Sequence, residues 1–173
     1  MCAVLMPNCS HSKLQSVEMA TVRRITSADV DAIMMLQAAT PEAPQWDRAV
    51  YEGIAAPITH RAASRIAWAA VNAEELLGYA VAHLTADVSE LESIAVAKSA
   101  RRAGIGRDLL KEVIEWSTAS GAQKIELEVR SANSSAVAFY ESAGFVFEGL
   151  RRRYYREPED DAILMGKSLY SGD

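Results

Sequence analysis

The stretch Ile94–Leu110, I-A-V-A-K-S-A-R-R-A-G-I-G-R-D-L-L, constrains this chain more than any other. An apolar strand end, Ile94-Ala95-Val96, runs into a basic loop that turns glycine-rich at Gly104-Ile105-Gly106, and a helix opens with Arg107 and Asp108. The first amides of a helix lack intrahelical acceptors, its dipole adds partial positive charge, and glycine lets an anion approach the backbone. Arg101, Arg102 and Arg107 add full positive charges. The stretch reads as a cradle for a diphosphate, against the plainer alternative of a strand, a basic turn and an ordinary helix. It is not a Walker loop, because the G-x-x-x-x-G-K-[ST] spacing and its lysine are missing, and no third glycine completes a dinucleotide fingerprint.

Around it the chain alternates short strands and helices. Thr21–Ile25 reads as a first strand; Thr26-Ser27 caps a helix with Val30, Ile33, Met34 and Leu36 on one face through Ala39. The prolines between Thr40 and Gln45 break it, a short helix follows over Asp47–Ile54, and Pro57 and Thr59 mark a loop. Arg65–Val71 and Gly78–Ala86 read as a hairpin, with Leu91–Ala97 as the third strand of that meander. Ile105, Leu109, Val113 and Trp116 hold a 3.6-residue period up to a stop at Ser120-Gly121. Lys124–Arg130 alternates, with Ile125, Leu127 and Val129 on one face and Glu126 and Glu128 on the other. Asn133-Ser134 caps a helix to Ser142, and Phe145–Tyr155 and Ala162–Leu169 form a last strand pair joined by the acidic Glu157–Asp161. The expectation is one α+β domain over residues 21–173, a mixed and mostly antiparallel sheet of about seven strands flanked by about four helices, with residues 1–20 as a flexible extension.

With 173 residues the chain can bury a proper core. Its net charge of −5 offers no general attraction to nucleic acid or anionic membrane, so neither is expected as a partner. Cys2 and Cys9 sit near the N-terminus, and His11, His60 and His83 are scattered, so no metal is expected. The body of the chain lacks cysteine and nothing reaches transmembrane length, which makes a reducing, cytoplasmic setting the default. A monomer or weak dimer is the default assembly.

The strings I-A-V, R-R-A-G-I-G-R, L-E-V-R, Asn133 followed by Y-E-S-A-G-F, and R-R-R-Y-Y with E-D-D-A-I-L-M beyond it together resemble the GNAT superfamily of acetyl-coenzyme A dependent N-acetyltransferases. The bacterial RimI branch, which acts on ribosomal-protein N-terminal alanine, is the nearest resemblance. It is dense over Leu91–Met165 and thin before, where Ala43-Pro44-Gln45-Trp46 resembles a turn of that branch. It implies a sheet splayed at a coenzyme cleft. Ile94, Ala95 and Val96 would pair with the pantetheine arm. Arg101, Arg102, Ala103, Gly104, Ile105, Gly106 and Arg107 would surround the diphosphate, and Asn133 would contact the coenzyme. Glu128 matches the family's general base and Tyr140 its general acid, while Trp46 and Tyr155 would touch the acceptor. Three departures stand out: Glu92 replaces an apolar residue, Ala97-Lys98 an Asp-Pro pair, and Arg153 an asparagine found in some members.

On residues alone, Glu128 is a solvated strand glutamate like Glu126, and Tyr140 a packed core tyrosine. Under the resemblance, Glu128 takes the proton of the attacking ammonium, Tyr140 gives one to the leaving thiolate, and the Val96 amide holds the oxyanion. Cys2 and Cys9 offer no Cys-His pair, so attack is direct. An α-amine, with a pKa of about 8 against about 10.4 for lysine, suits a modest carboxylate base. The acceptor implied is a basic N-terminal peptide, such as that of small-subunit ribosomal protein number eighteen, with the acids of Glu157–Asp161 favouring its charge. Two alternatives stay open: a GNAT enzyme for a small amine or lysine side chain, and a non-catalytic acetyl-CoA-binding module.

Overall fold

Seven segments form strands, some alternating like Lys124–Arg130 and some continuously apolar like Arg65–Val71, and their order makes the site. The computed structural model describes residues 20–56, 64–73 and 75–170. Nearly all of the expected 1–20 extension, and the loop at Pro57 and Thr59, lie outside them. The strands are β1 (Thr21–Arg24), β2 (Arg65–Val71), β3 (Leu76–Thr85), β4 (Val88–Val96), β5 (Lys124–Arg130), β6 (Val146–Arg156) and β7 (Glu159–Ser168). The helices are α1 (Val30–Ala38), α2 (Arg48–Ala55), α3 (Ile105–Ala119) and α4 (Ser134–Ser142). One sheet in the order β1-β2-β3-β4-β5-β7-β6 is antiparallel throughout, save for β4 beside β5. No described helix is long and apolar enough to cross a membrane.

Each sheet face has its own core. On one, Ile105, Leu109, Leu110 and Val113 of α3, with Tyr140 and Phe145, pack on Ile66, Trp68, Leu77, Ile125, Leu127 and Met165. Burying side chains such as Leu109 or Val113 stabilises by about 1.5–3 kcal/mol each. The other face packs Val30 and Ile33 of α1 and Tyr51 of α2 on Ala67, Ala69, Tyr79, Val81 and Ala95. Buried Gln37 ties this side together: its Oε1 accepts from the Tyr51 hydroxyl (2.7 Å) and the Trp46 amide (3.1 Å), and its Nε2 donates to the Trp46 carbonyl (3.0 Å).

The structure departs from the sequence reading at strand ends. β4 starts at Val88, not Leu91, because Ser89 is fully buried and accepts from Ser117 of α3 at 2.7 Å. A polar residue here is a core residue with a partner. β7 starts at Glu159, not Ala162, and the expected acidic connector shrinks to a turn at Glu157-Pro158. Asp160 accepts from the Ser131 hydroxyl (2.6 Å) and the Ala132 amide (3.2 Å), and Asp161 accepts from the Arg153 amide (2.8 Å). Asp160 thus ties the hairpin to the segment after β5, and Asp161 braces the hairpin itself.

A bulge in β4 sets the site. Val81 pairs with Ser93 and Ala82 with Leu91, so Glu92 has no partner across the ladder. An extra residue shifts the alternation by one. Leu91 and Ile94, three apart, therefore join the α3-side core, while Ala95 lies in the other.

Three stability outcomes follow. A Cβ at Gly78 of β3 would stand 2.8 Å from the Ala95 carbonyl oxygen and 3.1 Å from Leu109, whereas one at Gly53 of α2 meets nothing within 4 Å. Gly78→Ala is expected to destabilise by about 1–3 kcal/mol and Gly53→Ala to stabilise by about 0.4–1 kcal/mol, both read by urea unfolding. Asp29 accepts from Arg23 (2.7 and 2.9 Å) and from the Thr26 amide (2.7 Å), and Arg23 holds its carboxyl down at about 2. A depressed carboxylate stabilises above its unfolded pKa and loses that contribution as pH falls through the folded value. Asp29→Asn is expected to cost roughly 1–2 kcal/mol at pH 7, with the difference from the parent vanishing near pH 2.

Candidate active site

The only parallel contact of the sheet is short. β4 and β5 pair from Val88 opposite Lys124 to Glu90 opposite Glu126, and no further. Beyond that point Leu91–Val96 and Leu127–Arg130 stay paired to β3 and β7 but not to each other, so a gap opens in the middle of the sheet. On the β4 side of this gap the Ala97 amide bonds back to the Leu77 carbonyl at 2.9 Å. Strand alternation then turns the Val96 amide, and the Ile94 amide before it, toward the gap. An extended, amide-bearing arm can pair with that edge as an extra strand would.

The cradle lies directly beyond. Gly104 sits at φ +89° as the N-cap of α3, with open space where a Cβ would be, and Arg102 before it also has positive φ, +67°. The amides of Arg107 and Asp108 bond to the Gly104 carbonyl (2.9 and 3.1 Å), which leaves those of Ile105 and Gly106 at the open end of the helix. The Ile105 side chain is core, so this residue can offer only its amide. Arg102, Ala103 and Arg107 are exposed around the turn. Arg101 is exposed too, but its Nε donates to the Val96 carbonyl at 3.2 Å, which ties the loop to the strand. Gly106 rests near Phe139 of α4 and Val96. The Asn133 Oδ1 caps α4 by accepting from the Ala136 amide (3.2 Å), and its Nδ2 remains available. Backbone donors, a bare glycine and three arginines form a donor set that fits a diphosphate.

On the β5 side stands Glu128, with its side chain 22 % exposed. It is ion-paired to Arg151 of β6, and the Tyr154 hydroxyl meets it, which raises the Tyr154 pKa. Tyr155 lies near it as well; burial, then the Glu128 charge, pushes its hydroxyl up, and Arg130 covers its ring at 4.0 Å. Tyr140 is buried in the α3-side core, between Phe139 and Phe145. Burial, with a smaller contribution from Tyr155, pushes its pKa far up, so the hydroxyl is protonated at any working pH.

The wall facing Glu128 is one that sequence reading missed. Glu90, Glu92, His83 and Arg65 share the α1/α2 side of the sheet. Arg65 holds Glu92 through two bonds (2.7 and 2.6 Å), His83 stands 3.9 Å from the same carboxylate, and Arg65 covers the Trp46 ring at 5.7 Å. Trp46 is thus fixed beside this wall. Glu90 makes no ion pair among the described residues; burial, then Glu92 and Glu128, raise its pKa. The signal for this wall was the departure at Glu92, whose meaning needed the bulge.

A model of the acetyltransferase (GNAT) family matches residues 30–145. The ribosomal protein bS18-alanine N-acetyltransferase of Escherichia coli is 37% identical over 93 residues, 53% of this chain and 63% of that protein. The N-alpha-acetyltransferase RimI of Mycobacterium tuberculosis is 42% identical over 84 residues, 49% of this chain and 50% of that protein. The chain thus aligns with less than two thirds of each of these curated relatives. A crystal structure of the Escherichia coli ribosomal-protein-alanine N-acetyltransferase superposes with a TM-score of 0.74 at 25% identity, over 90% of this chain and 97% of that one. With that architecture and the family match over two central cores and the gap between them, the chain belongs to the GNAT acetyltransferase family.

Proposed function

We propose that this protein is an acetyl-CoA dependent N-acetyltransferase that modifies the α-amine of a protein N-terminus, with the alanine-starting N-terminus of a ribosomal protein as its acceptor. The observation that carries the reading is the gap between β4 and β5, with free strand-edge amides on one side and Glu128 on the other. The names of the relatives support the acceptor class.

When bound, acetyl-CoA supplies a thioester as the acetyl source. Ile94 and Val96 would hold its extended arm by their gap-facing amides, with Ala95 between them paired to Tyr79 of β3; the amides of Ile105 and Gly106, with Arg101, Arg102 and Arg107 around the turn from Ala103 to Gly104, would hold its diphosphate. Asn133 donates from Nδ2. Glu128 takes the proton of the incoming ammonium, directly or through one water. Tyr140, kept protonated by its burial, donates toward the departing sulfur, and the Val96 amide stabilises negative charge on the acyl oxygen. Trp46 and Tyr155 flank the acceptor. Glu90, beside the Arg65-paired Glu92, adds negative charge near Glu128, which favours a cationic acceptor alongside the hairpin acids of Glu157–Asp161.

Three experiments test this. Glu128→Gln is expected to lower turnover of an alanine-starting basic peptide by roughly 10²–10⁴, with acetyl-CoA affinity measured by calorimetry nearly intact; full activity would remove Glu128 from the mechanism. Gly104→Asp puts a side chain at positive φ and a negative charge in the cradle, and is expected to raise the acetyl-CoA Kd by about tenfold or more, about 1.4 kcal/mol. An unchanged Kd would place the diphosphate elsewhere. A panel of acceptors that includes polyamines and lysine peptides reads the acceptor class: faster acetylation of either than of the N-terminal peptide would reject it.

A further inference from the structure

The cation paired with Glu128 comes from the far edge of the sheet. Arg151 of β6 pairs with Ala162 of β7, which in turn pairs with Arg130 of β5. Its side chain therefore crosses β7 to reach Glu128. The β6 position in register with Leu164, and through it with Glu128, is Gly149, which has open space where a side chain would stand. Arg151 fills that approach instead.

The backbone of β6 is shaped to keep it there. Between the pairs Arg151–Ala162 and Tyr155–Asp160, the three residues Arg152, Arg153 and Tyr154 stand opposite the single residue Asp161. Arg153 takes φ +52°, and its amide is held by Asp161 at 2.8 Å. The bulge brings the Tyr154 ring to 5.6 Å from the Arg151 guanidinium and its hydroxyl to Glu128. Such bulges re-aim side chains beside active sites. Of the ion-paired partners, Glu128 is the one shielded by the sheet and Arg151, 55 % exposed, is the one that can swing into water.

We propose that Arg151 is a specificity-determining cation, whose guanidinium holds the Glu128 carboxylate until the acceptor's ammonium group replaces it. This rests on the reading of Glu128 as the base. Entry of the acceptor is then an exchange of one cation for another, and the charge of the cleft is conserved. Glu90, which makes no ion pair among the described residues, lies near Glu128, while Glu92 is held by Arg65, so a departing Arg151 leaves Glu128 and Glu90 with negative charge that a cationic group offsets. A neutral acceptor has no means of making the exchange.

The test uses the full chain, acetyl-CoA and an alanine-starting basic peptide, with the same peptide lacking its α-amine as a dead-end inhibitor. Arg151→Gln is expected to lower the peptide KM about two- to fivefold, the scale of a half-exposed ion pair, so that kcat/KM rises. Arg151→Lys is expected to stay near the parent, and the inhibition constant of the amine-free peptide to be the same in all three proteins. Arg151→Met, which keeps the aliphatic stem on Tyr154, serves if the glutamine variant misfolds. A peptide KM that is unchanged or higher in both neutral variants, or an amine-free peptide whose binding improves equally, overturns the exchange. Glu128→Gln run alongside separates the two claims: full activity there rejects the base assignment, whereas a dead Glu128→Gln with an unmoved Arg151→Gln rejects only the role of Arg151.

Discussion

Everything functional in this fold depends on two neighbouring strands that stop pairing. A backbone amide buried or half-buried without a partner is costly, so nearly every such group in a folded protein finds one. Here β4 runs six residues past its last pair with β5, and its edge amides face a gap and not a strand. The antiparallel ladder to β3 and the cores on both faces hold that edge in place. A sheet that opens at its centre while remaining anchored on either side is a preformed acceptor for an extended ligand. Preformation matters energetically, because a site that need not order itself on binding loses less entropy.

The loop after β4 extends the same logic from strand to helix. Gly104 in its left-handed conformation lets α3 begin at once, and the helix is fixed by Leu109, Leu110 and Val113 against the sheet. The first-turn amides are thus held rigidly at one end of the gap. Polar groups used elsewhere for structure, such as Gln37, Ser89 and Asp161, show the contrast: each has its partner within the protein. The gap-edge amides of β4 have no strand on that side, because the pairing with β5 ends at Glu90.

Much of this was legible in the sequence. Period-2 alternation gave β5 residue for residue, and the 3.6 period gave α3 within one position at each end. The glycine-rich turn marked the start of α3, where Gly104 is the N-cap at φ +89°. What escaped was whatever depended on long-range register. The β4 bulge shifts Glu92 onto the α1/α2 side, and no local pattern marks it. The start of β7 was hidden because Asp160 and Asp161 look like loop residues until their partners Ser131, Ala132 and Arg153 are seen. Arg151 reads as one of several surface arginines, and only the strand order places it across from Glu128.

The most direct test of the central claim is the backbone amide spectrum of the isotopically labelled protein, titrated with acetyl-CoA. The account predicts saturable shifts at Ile94 and Val96 and at residues 103–106, with the amides of β1 and β2 unmoved. Saturable binding that leaves the β4 edge and the helix turn unperturbed would contradict it.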